Sequence, residues 1–430
     1  MTDDASDRDR TAGGVVFRFS KVWYARALLL RTLGLNALAA RDLPLAWVES
    51  DPRPLPGPQW VRVRTVAAGI CGSDLGVLRA SLSAQLSPFA SFPAVLGHEG
   101  TGVIAEAGAD SGWSPGTRVV VDPFLGCLVR GNPPCRSCAA GWAPLCEERT
   151  RGPIRPAMLL GTSPELPGTW GTELIAHRSQ LHAVPASLSD DLAVLVEPLA
   201  ISMHAVLASP PPPDAPVLVV GGGAIGLLVL AALKLAGHDN PVAVIARHPV
   251  QRRLAGDLGA AAVFDEANAA EGVAGFARGR VLPTLDGGWV LEGGAAVTYD
   301  AVPSGRGLDL ALRLTRTDGV VSLVGSPGRV RALDVTGVWA KALTVRGALG
   351  YGAEGPRWSG RHTMDVAMEL LAAAGDRGLE RLITHRYPLA RYREAVHAAL
   401  GLAGSRPVKV VLVTRSSDES EPTLPGKVAS

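Results

Sequence analysis

The sequence predicts an α/β fold in two unlike parts, a β-rich region followed by a doubly wound parallel sheet. Three observations predict it. Ser209 to Pro216 reads SPPPPDAP, too rich in proline to continue a helix, and so acts as a stiff connection. After it, strand-like and helix-like segments alternate, the pattern of a parallel sheet with helices on both faces. Before it, Val61, Val63 and Val66 among arginines and the run Arg118 to Val121 are β-like, and glycines and prolines punctuate the region densely.

Bulk properties agree with two domains. The chain has 430 residues, too many for one ordinary domain and enough to bury a large core without staples. It is 47% hydrophobic and 19% charged, a globular profile that is neither collagen-like nor disordered. A formal net charge of +2 supplies no global basic field, so neither nucleic acid nor an anionic membrane is an expected partner. The longest apolar run, Val217 to Leu235, is broken by glycines and a lysine and fits a strand and a helix better than a membrane span. Thr2 to Arg10 alternates acids and bases without an apolar stretch, so no secretory signal is read and a cytoplasmic location is expected.

In chain order, residues 1 to about 14 read as a disordered lead. Val15 to Leu33 is apolar but interrupted by Arg18, Lys21, Arg26 and Arg31. It reads as strand or helix packed on the body, with an interfacial membrane role as the lesser alternative. Beyond the prolines, Val217 to Val220 is a strand, Ile225 to Leu235 a helix and Val242 to Ala246 a second strand. Further strands are expected at Gly288 to Leu291 and Val320 to Val324, and Ser416 to Ser430 reads as a disordered tail.

The first strand runs into Gly221-Gly-Gly223-Ala224-Ile225-Gly226 and then a helix. The first glycine permits the tight turn, the second a close approach to a pyrophosphate, and the third close helix–strand packing. The helix start then offers free N–H groups to phosphate. A glycine-rich turn alone is the bland alternative, but strand and helix flank this one on the correct sides. The second strand ends in Arg247-His248 with no Asp or Glu, and Arg252 and Arg253 follow. A ribose 2′-phosphate needs such cations, so NADP is favoured over NAD; the alternative is a solvated row of arginines.

Five cysteines without a signal argue for metal ligation over disulfides. Cys71-Gly-Ser73-Asp74, then Gly97-His98-Glu99, then Glu197-Pro-Leu-Ala supply thiolate, imidazole and carboxylates. Each piece is weak alone; together they offer what a catalytic zinc requires, three ligands and an open position. Cys135, Cys138 and Cys146, with Cys127 ahead of them, suit a closed four-thiolate structural zinc. A redox dithiol at Cys135 and Cys138, or a lobe that has lost its metal, are the alternatives.

These segments resemble the medium-chain, zinc-containing alcohol dehydrogenase family, especially its sorbitol (polyol) and threonine dehydrogenase branch, from about Trp60 to Val413. The resemblance implies a β-rich, GroES-like catalytic domain into which a Rossmann domain is inserted. The catalytic part would span residues 1–197, with a structural-zinc lobe at about 122–150, and resume at 346–430, leaving 198–345 to the Rossmann part. Leu382 to Leu389 would bring the chain back. The resemblance makes Cys71 and His98 zinc ligands, Glu99 a ligand or close neighbour, and Glu197 a ligand directly or through water. Ser73 would pass on the substrate hydroxyl proton and Asp74 would hold the His98 ring. Hydride would move between an alcohol or carbonyl substrate and NAD(P), in a homodimer or homotetramer.

Two departures stand out. Leu128 to Pro134 is inserted between the first two lobe cysteines, and Gly76 stands where many members carry a proton-relaying histidine. The relay must then end in water, in the cofactor ribose or in a residue such as His204. Competing readings are a zinc-free enone or quinone reductase, a catalytically silent NADPH-binding protein and a zinc-lobe nucleic-acid binder. The cysteines oppose the first, the intact Cys71, Ser73, His98 and Glu99 the second, and the missing basic recognition helix the third.

Overall fold

The structure is a computed structural model and describes residues 12–35, 42–330, 332–375, 377–402, 404 and 406–414. Six parallel strands form one sheet, in the order Ala262–Phe264, Val242–Ile245, Val217–Val220, Ala295–Asp300, Thr315–Leu323 and Thr344–Gly347. By position in the chain this is the 3-2-1-4-5-6 order of a doubly wound dinucleotide fold, whose crevice opens between the first and fourth strands. Val217–Val220 is buried along its whole length, because helices cover both faces of the sheet.

A second sheet of seven strands is mainly antiparallel. Its path runs Ile383–Pro388, Lys409–Val413, Trp60–Gly69, Glu99–Ala107, Arg118–Val121 and Leu181–Ala183, with Glu173–His177 paired to the start of Trp60–Gly69. Two of these strands come from the last part of the chain, which thus returns to the first sheet. The helix Val196–Ala208 joins the two halves: it packs on Ala224–Leu235, on Thr363–Ala374 and against Glu99–Ala107. One apolar core accordingly holds Ala67 and Val120 of the β-rich part together with Val217 and Leu228 of the parallel sheet.

Two sequence expectations are corrected. Of the expected lead, residues 1–11 lie outside the described residues, but Ala12–Gly14 open the strand Ala12–Phe17, paired with Leu45–Ser50. Gly13 is there because the Trp47 ring lies where a Cβ would stand. The helix Lys21–Thr32 follows, capped by Ser20, with only Ala27 buried. The second correction concerns Gly288 to Leu291. Trp289–Glu292 is one arm of a two-stranded hairpin with Arg280–Pro283, and the fourth parallel strand is Ala295–Asp300. The expected tail at 416–430 lies outside the described residues.

Candidate active site

The strand Trp60–Gly69 delivers the chain to Cys71, whose extended backbone starts the short helix Gly72–Leu78. Asp74, on that helix, is buried. Its Oδ2 accepts from the Cys71 backbone N–H at 3.0 Å, and its Oδ1 lies 3.3 Å from His98 Nδ1. One carboxylate therefore fixes both a backbone position at the thiol and the direction of the imidazole. The other ring nitrogen, Nε2, is turned toward Ser73 Oγ at 3.1 Å. His98 follows Gly97, which takes φ +92° in the left-handed region, with Trp170 against its α-carbon. Trp170 is fully buried and donates its indole N–H to Gly69 O at 3.1 Å, tying this turn to the end of the strand.

Glu99 and Glu197 are both buried. Glu99 forms an ion pair with Lys409, and the Lys409 ammonium also donates to Ile70 O at 3.4 Å. Glu197 sits in the first turn of Val196–Ala208 and accepts from the Tyr351 hydroxyl at 3.1 Å. Burial, then the charge of Glu99, pushes its carboxyl up to about 8. Burial works against a charged His98, but Asp74 and Cys71 outweigh it and hold the ring well above its ordinary value. Both shifts mark a buried anionic cluster that favours added positive charge. Thiol, imidazole and carboxylate are also the donor types zinc takes, so the residues fit a divalent cation.

The six residues expected at this site thus occupy one neighbourhood, linked through Asp74 and through the mutual electrostatics of Cys71, His98, Glu99 and Glu197. Yet Cys71, His98 and Glu197 are not among the described groups whose ligand atoms all lie within 4.8 Å of one another. Ser73 stands on His98 Nε2, and Lys409 holds Glu99. His204, a possible end for the proton path, pairs instead with Glu354 Oε1 at 3.1 Å and lies edge-on to Trp142. Lys409 and Tyr351 were not anticipated. Lys409 carried a signal, being the single charge in the apolar run Val408 to Val413.

The cysteine lobe is more regular. The sulfurs of Cys127, Cys135, Cys138 and Cys146 lie within 4.8 Å of one another. Cys127 and Cys146 sulfurs are 3.6 Å apart, too far for a disulfide. Ligands at about 2.3 Å around a tetrahedral zinc would sit about 3.8 Å from each other. Each sulfur accepts at least one backbone N–H: Cys138 from Cys127 at 3.4 Å, Cys127 from Cys135 at 3.3 Å, Cys135 from Glu147 at 3.4 Å and Cys146 from Glu148 at 3.4 Å. Burial pushes Cys146 up to about 11; at Cys135 it is outweighed by the backbone N–H groups of Glu147 and Cys138, which bring that thiol down to about 7. The inserted loop carries Arg130, fully buried, whose guanidinium donates to Leu125 O at 3.1 Å, Ile154 O at 3.0 Å and Ala157 O. The insertion is thereby fastened to the lobe.

At the glycine-rich turn, Gly221 takes φ +106°. A Cβ on Gly226 would strike the Gly221 carbonyl oxygen, whereas nothing lies within 4 Å of one on Gly223. Gly223 caps the helix Ala224–Leu235 without a side-chain bond, so Ala224, Ile225 and Gly226 present the first N–H groups. At the end of the second strand, Arg252 donates to Arg247 O at 2.9 Å, while the Arg247 side chain is 72% exposed and 4.0 Å from Glu266. His248 caps the next helix. Burial, then Arg406, Arg247 and Arg252, lowers its basicity, so cations from two parts of the chain meet there.

Comparison with known proteins agrees with this fold. Residues 57–186 match the alcohol dehydrogenase GroES-like domain, and residues 224–375 match the zinc-binding dehydrogenase domain. Sorbitol dehydrogenase of Arabidopsis thaliana is 27% identical over 88% of this chain and 93% of its own. Galactitol-1-phosphate dehydrogenase of Escherichia coli has a similar structure, with TM-score 0.71 and 22% identity over 94% of this chain and all of its own, 100%. A zinc-binding dehydrogenase of Sinorhizobium meliloti 1021 bound to NADP superposes with TM-score 0.67 at 23% identity, over 94% of this chain and 99% of that one. Two domain matches on the two halves of the fold, and relatives that share both, show that the chain belongs to the zinc-dependent medium-chain family of alcohol and polyol dehydrogenases.

Proposed function

We propose that this protein oxidises an alcohol or polyol, or reduces the matching carbonyl, with NAD(P) and preferably NADP. The observation that carries the reading is the Asp74 carboxylate, which fixes Cys71 and His98 together beside Glu99 and Glu197. Cys71, His98 and Glu197, with Glu99 close by, would hold the catalytic zinc; Cys127, Cys135, Cys138 and Cys146 would hold the structural one. Zinc held there would supply a Lewis acid that makes an alcohol more acidic, and a nicotinamide would supply the hydride acceptor.

The chain's own residues do the rest. Asp74 sets the His98 ring, and Ser73 Oγ, which lies on His98 Nε2 at 3.1 Å, would turn to take the substrate proton. Leu82 fills the space beside Gly76, where a Cβ would meet it at 2.6 Å, so no longer side chain stands there and the proton leaves to water or the cofactor ribose. The turn from Gly221 to Gly226 would bind the pyrophosphate, and Arg247, His248 and Arg252 would face the ribose 2′-phosphate. Fold neighbours are bound to NADP in one case and NADH in another, so the choice rests on these side chains. We assign 1–197 and the chain from about 346 to 430 to the catalytic domain and the part between to the nucleotide domain, the strand Thr344–Gly347 completing the parallel sheet at that boundary, in a dimer or tetramer. Five unpaired cysteines suit a reducing compartment, the cytoplasm. Among the described residues no helix is long and apolar enough to cross a membrane.

The test is Cys71→Ala. Turnover of polyols with NADP should vanish and zinc content should fall by one per chain, while NADPH binding persists. Equal loss of cofactor binding, or unchanged zinc, would overturn the division of roles.

A further inference from the structure

A second cluster of metal-ligating side chains lies apart from both zinc sites. Asp122 follows the strand Arg118–Val121, His182 lies in Leu181–Ala183, and His362 caps the helix Thr363–Ala374. One ligand atom from each lies within 4.8 Å of the others. The three come from distant parts of the chain, so the fold, not local sequence, assembles them.

Asp122 and His182 have their far sides already engaged. Asp122 Oδ1 accepts from the Phe124 N–H at 3.0 Å, leaving Oδ2 3.6 Å from His362 Nε2. His182 Nδ1 lies 2.8 Å from Asp365 Oδ1, which places the proton on Nδ1 and leaves Nε2 with a lone pair. That Nε2 is buried, with no hydrogen-bond partner among the described residues, in a side chain only 9% exposed. A buried acceptor without a partner is costly. The carboxylate behind the ring is the usual arrangement around a metal-ligating histidine. The His182 and His362 rings stack with centroids 4.4 Å apart and 22° between their planes, so a shared ion requires one ring to turn its Nε2 toward the other's.

We propose that Asp122, His182 and His362 form a third metal site, for a borderline divalent ion such as Zn2+, Co2+ or Ni2+. Water completes the coordination, since the side chains of His362 and Asp365 reach solvent. Metal on His362 Nε2 requires the proton on Nδ1. It therefore ends the 3.4 Å bond by which Nδ1 accepts from the Met364 N–H, a long contact and the weakest of the set. The ion ties the helix Thr363–Ala374 to the edge of the seven-stranded sheet. That helix packs on Val196–Ala208, so occupancy acts on how firmly the two halves are joined.

Both other sites contain thiolate, and this one does not. Full-length protein with its zinc in place is titrated with Co2+ and followed by absorption. The expected result is one further equivalent with weak d–d bands and no sulfur-to-cobalt charge-transfer band. Asp122→Asn and His182→Gln should abolish that equivalent, and Asp365→Asn should weaken it about 10–100-fold. Circular dichroism and NADPH binding verify that each variant is folded. No equivalent beyond the thiolate sites in the unmodified protein would overturn the proposal. So would Co2+ uptake that persists unchanged in both folded variants.

Discussion

Asp74 shows how much one side chain can organise. Its two oxygens serve two different partners, the Cys71 N–H and His98 Nδ1. Asp74→Asn keeps the size but leaves one of those contacts with an NH2 group facing a donor. Turnover should fall about 10–100-fold, with zinc binding weakened to a similar degree; steady-state rates and competition with a chelator measure both, and an unchanged rate would remove Asp74 from the proposed site. Cofactor choice is also decided by single side chains. Arg247→Ala should raise KM for NADPH about 10-fold, the loss of one charge-assisted contact, and leave KM for NADH nearly unchanged. An unaltered ratio would sink the preference for NADP. At this scale the motif residues were legible because chemistry fixes their spacing within short segments: Cys71 to Asp74, His98 and Glu99, Gly221 to Gly226. Lys409 was not, because its partner Glu99 is 310 residues away and only the sheet brings them together.

Among the elements, the parallel sheet was legible where strands are β-branched, as in Val217–Val220 and Val242–Ile245. Ala295–Asp300 escaped notice for a physical reason. It is buried on both faces, so it shows no alternation, and its small residues and terminal Asp resemble a turn. Trp289–Glu292 looked more strand-like and is indeed a strand, but of a hairpin outside the parallel sheet. The strand end at Asp300 has a testable property. Its Oδ1 accepts from the Val302 N–H at 3.0 Å, its Oδ2 is buried without a partner among the described residues, and burial pushes the carboxyl up to about 7. The native state therefore keeps a proton that the unfolded chain releases near its ordinary 3.8. The associated stability is fully present below that ordinary value and is lost as pH rises through about 7. Asp300→Asn should raise Tm at pH 8 and lose the advantage at pH 4, by at most about 4 kcal/mol. An equal effect at both pH values would contradict this account.

For the molecule as a whole, domain number and the change of character at Ser209–Pro216 were legible from composition and punctuation. How the last part of the chain returns to the first sheet came from resemblance, because nothing local in Ile383–Pro388 or Lys409–Val413 names its neighbours. The inserted loop of the cysteine lobe was legible as a departure in spacing, but not as a strut. Arg130 within it makes no ion pair with a carboxylate among the described residues; its guanidinium is spent on carbonyl oxygens, and the sulfurs of Cys146 and Cys127 are its leading electrostatic partners. A zinc held by these four thiolates would be a dianion, with Cys127 and Cys146 buried and Cys135 and Cys138 partly open to solvent. Arg130 would be its built-in counter-ion, bringing the cluster nearer to electroneutrality without outside salt. Such a cluster should hold its metal further into acid than one without an internal cation, because protons find less negative charge to attack. Arg130→Met should move zinc release, followed with a chelating dye, to higher pH, and an unmoved release curve would show that the guanidinium only braces the loop. On this account the insertion that breaks the familiar spacing would make the lobe acid-resistant rather than loose.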